Sequence, residues 1–199
     1  MIQEMDLMEI FYWFHRHPEL SYEEYDTTAQ IKKLLKAADV KILPIPMETG
    51  LIAEVKGEKD GPVQARRCDI DALPITELTD LPYASECPGK MHACGHDAHT
   101  AVGLGVARWL MDHKDELVGK VKLIFQPSEE GTRGSSPMTA AGVVDDVDWF
   151  FGGHIGTECH SHEVGVCHDV FLATVKFDVD FTGLESHAGA APEKGRSAL

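Results

Sequence analysis

The stretch Met91-His92-Ala93-Cys94-Gly95-His96-Asp97-Ala98-His99 constrains this chain more than any other. Any fold must find partners for three histidines, a cysteine and an aspartate within nine residues. Thiolate and imidazole backed by carboxylate are the groups that bind transition metals. A solvated loop would more often use Ser, Asn and Lys, and a core histidine would come alone. Two other segments carry the same chemistry, Gln126-Pro127-Ser128-Glu129-Glu130-Gly131 and Gly152-Gly153-His154. The fold is expected to gather all three at one metal site.

The hydrophobic patterns around these segments point to an α/β chain. Met5, Met8, Phe11 or Tyr12, and Phe14 recur at helical spacing. That helix should end in His15-Arg16-His17-Pro18, because Pro disfavours helical geometry in the residue before it. His15 and His17 are read as exposed residues suited to the helix dipole, in preference to metal ligands. A second helix is expected from Ser21, with Ser21 and Glu24 as a capping box and Ile31, Leu34, Leu35 and Ala38 as its buried stripe. Val40 to Pro46 reads as extended. Leu51 to Lys56 and Val63 to Ile70 read as strands, with Gly57 to Pro62 as the turn between them. Residues 75 to 90 read as loop. A helix from about Ala98 to Lys114 should turn Val102, Val106, Trp109 and Leu110 inward, with Gly103 and Gly105 permitting close packing on a sheet. Val121 to Phe125 is a strand, Pro137 to Ala141 a helical turn closed by Gly142, and Asp148 to Ile155 another strand. Each chemically loaded segment follows a strand, the usual place for sites in open α/β sheets.

The remainder has a different texture. Glu163 to Cys167 and Leu172 to Phe181 read as strands, the second alternating Val175, Phe177, Val179 and Phe181 with Lys176, Asp178 and Asp180. That suits an antiparallel sheet with one wet face. Residues 1–169 are therefore expected to belong to one domain and 170–199 to begin a second, incomplete one. Its loop Gly183 to Pro192 holds His187, and Leu199 falls in what reads as the start of a helix.

Composition excludes some functions. A net charge of -15, from 33 acidic and 18 basic residues, offers no basic patch for nucleic acid or anionic membranes. No apolar run has the length of a membrane span, and the first residues do not resemble a signal peptide. The five cysteines are irregularly spaced and fit neither a disulfide framework nor a zinc finger. A cytoplasmic setting is expected.

Adjacent Glu129 and Glu130 point in different directions, so one can hold a metal while the other faces a reacting water. A metal lowers the pKa of such a water, and a nearby carboxylate can take its proton and pass it to a leaving amine. That chemistry hydrolyses amides. Taken alone, Glu-Glu would more often be a solvated turn. Asp69 and Asp71 at a strand end could orient a ligand histidine, hold a cation or stand solvated; the sequence leaves these open. Cys94 could instead be a nucleophile with His96 or His92 as its base. The abundance of metal-type side chains favours the metal.

Six segments together resemble the M20 metallopeptidases: His17 to Ser21, Arg67 to Pro74, Met91 to Thr100, Phe125 to Gly131, Gly153 to Gly156, and Phe181 to Leu199. The resemblance is to the amidohydrolase branch with aminoacylase-like, indole-acetyl-amino-acid and aminobenzoyl-glutamate hydrolases, the last nearest through Glu130 to Asp148. It implies a zinc-peptidase-like α/β catalytic domain, with a mixed sheet flanked by helices, and the start of an α+β lid domain that often dimerises. It implies two divalent ions, zinc or manganese, with cobalt also admitted by the mixed ligands. By that likeness Cys94, His96, Glu130 and His154 would be metal ligands, and Glu129 the general base. His187 would bind substrate carboxylate or oxyanion, and Asp71 would support a ligand. The expected reaction is hydrolysis of N-acyl or N-aroyl amino acids, small-molecule substrates. Chains of this family are about twice as long and supply a last histidine ligand from their second half. The alternative expectation is therefore a non-catalytic fragment that needs that half or a partner.

Overall fold

Leu51, Ala53 and Val55 alternate with Ile52 and Glu54 along one strand, so both faces of its sheet need cover. The computed structural model describes residues 6–131, 134–156, 159–166, 177 and 179–198. It divides into two units, Met1–Gly156 and Thr157–Leu199.

The first unit holds helices α1 (Leu7–Arg16), α2 (Tyr25–Ala37), α3 (His96–Asp112) and α4 (Ser135–Ala140). Its strands are β1 (Lys41–Leu43), β2 (Leu51–Lys56), β3 (Lys59–Asp69), β4 (Val118–Gln126) and β5 (Trp149–Gly152). They form one mixed sheet in the order β1-β2-β4-β3-β5. β4 runs antiparallel to β2 and parallel to β3, and β5 is parallel to β3. Helices α1, α2 and α3 bury Ile10, Phe14, Ile31, Leu35 and Leu104 against Leu51, Ala53, Val55, Leu123 and Phe125. On the other face Met138 and Val143 cover Ile52, Ala65 and Ile124. Among the described residues no helix is long and apolar enough to cross a membrane.

Three local expectations are corrected. The helix expected at Ser21 starts at Tyr25, and its cap Glu24 makes no side-chain capping bond. Both halves of the supposed box are committed elsewhere: Ser21 Oγ donates to Asp71 Oδ2 at 2.7 Å, and buried Glu24 accepts the Ser128 N–H at 2.8 Å. The Glu19 carboxylate accepts the N–H groups of Asp26 and Thr27 instead, at 3.1 and 2.7 Å. On α3, Val102 and Trp109 are 46% and 58% exposed. The inward stripe is His96, His99, Thr100, Gly103, Leu104, Ala107 and Leu110, so polar and small residues displace the apolar ones. A Cβ on Gly103 would lie 2.6 Å from Cys68 Sγ, so only glycine lets α3 approach the sheet this closely. The turn at 57–62 is shorter than expected, because β3 already begins at Lys59.

In the second unit Pro192–Lys194 form a one-turn 3-10 helix and Leu184 bridges Arg196, while the helix start expected at Leu199 lies outside the described residues. Residues 163–166 are not a strand. The alternating strand expected at 172–181 lies largely outside the described residues.

Candidate metal centre

Parallel pairing aligns the carboxyl ends of three strands. Asp69 of β3 sits opposite Gln126 of β4, and Arg67 opposite Gly152 of β5. The acidic turn after β4 and the histidine after β5 therefore emerge beside the start of α3. Gly95 makes the entry to that helix with φ +84, a left-handed conformation that glycine adopts without strain. A Cβ there would also stand 3.0 Å from Ile155.

Cys94, His96, Glu130 and His154 converge. Cys94 Sγ is 3.3 Å from His154 Nε2, and His96 Nε2 is 4.0 Å from Glu130 Oε1. Two sets of ligand atoms lie mutually within 4.8 Å: Cys94, His96 and Glu130, and Asp69, His96, His99 and His154. His96 belongs to both.

Backbone carbonyls fix the tautomers of two histidines. His96 Nδ1–H donates to the Asp71 carbonyl at 2.9 Å, and His154 Nδ1–H donates to the Ile155 carbonyl at 2.8 Å. Each Nε2 is thereby left as a lone pair. His96 Nε2 is buried with no hydrogen-bond partner, which is costly unless a cation meets it. That orphaned nitrogen is the observation by which these residues fit a metal. His99 differs. Its Nδ1–H donates to Asp69 Oδ1 at 2.5 Å, and its Nε2 accepts the Ile155 N–H at 2.9 Å.

The electrostatics agree. Burial raises the Cys94 thiol, and Glu130, Glu129 and Asp69 add to this, pushing it up to about 12. Surroundings that hold a thiol protonated also attract a cation, whose charge would release the thiolate. Burial works against ionised Asp69, but His99, His96 and Arg67 outweigh it and hold the carboxyl down at about 2. Its Oδ2 lies 2.8 Å from the Arg67 guanidinium.

Supporting contacts complete the site. Glu24 accepts the Ser128 N–H, and Asp71 Oδ2 accepts the Glu130 N–H at 2.9 Å. The backbone on both sides of Glu129 is thus held by buried carboxylates, while Glu129 and Glu130 are themselves half-buried. His15, expected to be exposed, is buried. Its ring bridges Asp97 Oδ2 at 2.5 Å and Glu77 Oε1 at 3.2 Å. The Asp97 hydrogen bond raises its pKa, against the effect of burial and with help from Glu77.

The sequence pattern of Peptidase family M20/M25/M40 matches residues 65–194. The chain belongs to that family. It is 52% identical over 158 residues to indole-3-acetyl-aspartic acid hydrolase of Enterobacter agglomerans, covering 76% of this chain and 36% of that protein. It is equally 52% identical over 158 residues to one polypeptide of the p-aminobenzoyl-glutamate hydrolase of Escherichia coli, with the same coverage. Among solved structures it resembles a dinuclear metal binding M20 peptidase of Bacillus subtilis, with a TM-score of 0.73 and 49% identity over 74% of this chain and 42% of that one. The chain spans 36% of the length of each of the two hydrolases. The mixed sheet with flanking helices expected of an M20 catalytic domain is the fold observed.

His187 lies in the second unit and is exposed. Its Nδ1 accepts the N–H groups of Gly189 and Ala190 at 3.2 and 3.0 Å, so the hydrogen resides on Nε2. Sequence reasoning gave no individual role to His99, Asp97 or Glu77, and read Glu24 only as half of a capping box. His99 and Asp97 stand inside the cluster that drew attention first. Glu77 carries no local signal and that of Glu24 misleads, because their partners are 62 and 104 residues away.

Proposed function

We propose that the protein of which this chain forms at least part is a metal-dependent amidohydrolase cleaving N-acyl or N-aroyl amino acids. The observation that carries this reading is the buried His96 Nε2, which has no hydrogen-bond partner and faces Cys94, Glu130 and His154 across a few ångströms. Cys94, His96, Glu130 and His154 would hold two divalent ions, zinc or manganese, with cobalt also compatible with S, N and O donors. The ions supply acidification of water and polarisation of the scissile carbonyl. Glu129 is the general base: it takes a proton from the attacking water and returns it to the leaving amine. His187, with its hydrogen on Nε2, presents a donor suited to a substrate carboxylate or an oxyanion. Residues 1–169 would belong to the catalytic domain, and 170–199 would begin a lid through which two copies pair. The named relatives that act on indole-acetyl-aspartate and aminobenzoyl-glutamate support acidic amino acids as the leaving half.

A second reading follows from coverage. A chain spanning 36% of these relatives would bind metal yet hydrolyse nothing until the remainder of such a protein is supplied. One experiment separates the two. The purified chain is equilibrated with zinc or manganese, freed of excess and analysed for metal, then assayed on N-acyl amino acids. Retention of about two ions with turnover supports the first reading. Retention without turnover, cured by adding the remainder of such a protein, supports the second. No retained metal in a folded chain removes the assigned ligand set.

A further inference from the structure

We infer that His99 is a positioning residue, the middle of a relay from Asp69 through Ile155 that fixes the ring of His154. The inference rests on the reading above in which His154 holds a metal.

The geometry raises a choice. Asp69, His96, His99 and His154 could by distance alone form a four-ligand site. The hydrogen bonds divide that set. His96 and His154 each spend Nδ1–H on a carbonyl and keep Nε2 as a lone pair. His99 has neither nitrogen to spare, since Nδ1–H goes to Asp69 and Nε2 accepts the Ile155 N–H. Asp69 spends Oδ1 on His99, while its Oδ2, 2.8 Å from the Arg67 guanidinium and 3.5 Å from His96 Nε2, has no hydrogen-bond partner. His99 is therefore a support and not a ligand, and Asp69 supports it in turn through Oδ1.

What the supports hold follows from the chain path. β5 ends at Gly152, so the sheet ladder stops two residues before His154. The peptide groups of Ile155 take over. Its carbonyl fixes the His154 tautomer, and its N–H ties that same residue to His99 on α3. The rings also meet directly, edge to face, with centroids 4.7 Å apart. His99 thus sets both the peptide that orients His154 and one wall of the space its ring occupies. Asp69, anchored on β3, keeps His99 Nδ1 protonated, which leaves Nε2 as the acceptor. Loss of a support of this kind typically costs about 10–100-fold in metal affinity.

The test uses two substitutions in the full chain. His99→Phe keeps a ring but removes both nitrogens. His99→Gln restores an acceptor near the former Nε2. Amide hydrogen exchange at Ile155 is measured without metal, and cobalt(II) affinity is read from the thiolate charge-transfer band of Cys94, with His154→Ala as reference. His99→Phe should speed Ile155 exchange and weaken cobalt binding about 10–100-fold, with partial recovery of both in His99→Gln. Unchanged Ile155 exchange in folded His99→Phe would overturn the relay. So would faster exchange with intact cobalt affinity, or a loss in His99→Phe greater than in His154→Ala, which would make His99 a ligand. If His154→Ala binds cobalt like the parent, the ligand reading itself fails, and exchange alone then decides whether His99 holds residue 155.

Discussion

The ends of β3 and β4 each present two carboxylates, and the pairs live in opposite conditions. Asp69 and Asp71 are both 1% exposed and are engaged with histidines, Ser21 and the backbone N–H of Glu130. Glu129 and Glu130 are half-buried, and their backbone is held by acids that come from elsewhere. The same side-chain chemistry at two strand ends thus divides into a frame and a working edge. Burial, with one oxygen of each carboxylate held by hydrogen bonds, makes Asp69 and Asp71 fixed struts. Partial exposure leaves one able to exchange a proton or meet a ligand.

The largest expected effect tests the working edge. Glu129→Gln keeps shape and removes the base, so hydrolysis by the chain, or by the chain supplied with the remainder of such a protein, should fall about 10²–10⁴-fold. Metal content and unfolding midpoint should stay as they were. Loss of metal instead would exchange the roles given to Glu129 and Glu130. Next comes the frame. Asp71→Ala removes the acceptor of Ser21 Oγ and Glu130 N–H and the acid beside His96, and should cost about 3–5 kcal/mol in urea unfolding, as for breaking a buried charged network. Glu130→Gln should do the reverse, with weaker metal binding at little cost in stability. If the two variants lose stability equally, the division into frame and edge is wrong.

A smaller effect bears on what the sequence could disclose. Ser21→Ala should cost about 1.5–3 kcal/mol, the range for a hydrogen bond to a charged group. The helicity of α2 should be unchanged, because Ser21 caps nothing; a frayed α2 would restore the capping box. Ser21 and Glu24 fit the box by spacing, yet Asp71 and Ser128, 50 and 104 residues away, claim them. Strands β2 and β4 were legible because alternation and β-branched runs are local signals. The convergence of Cys94, His96, Glu130 and His154 was legible because residue types of this kind have few other uses when clustered. The inward face of α3 was not, since hydrophobicity points to Val102 and Trp109, whereas the sheet needs Gly103 and the site needs His96 and His99. Local pattern reads local preference; it cannot see a polar contact that closes only after folding.

The most gradual effect concerns His15, where frame chemistry reaches α1. Its ring lies between Asp97 and Glu77, and its folded pKa is raised above the ordinary value of 6.5. A group with a raised folded pKa lends stability that is fully present below its unfolded pKa. That stability is lost as pH rises through the folded value. The charged ring should therefore tie α1 to the first turn of α3 most firmly in mildly acidic solution. Urea midpoints of the parent and of His15→Gln, compared between about pH 6 and 9, should differ most at the acid end and converge as the ring loses its proton. A constant difference across that window would mean that His15 acts by packing against Phe11 and Tyr83, and that its charge does not join the frame.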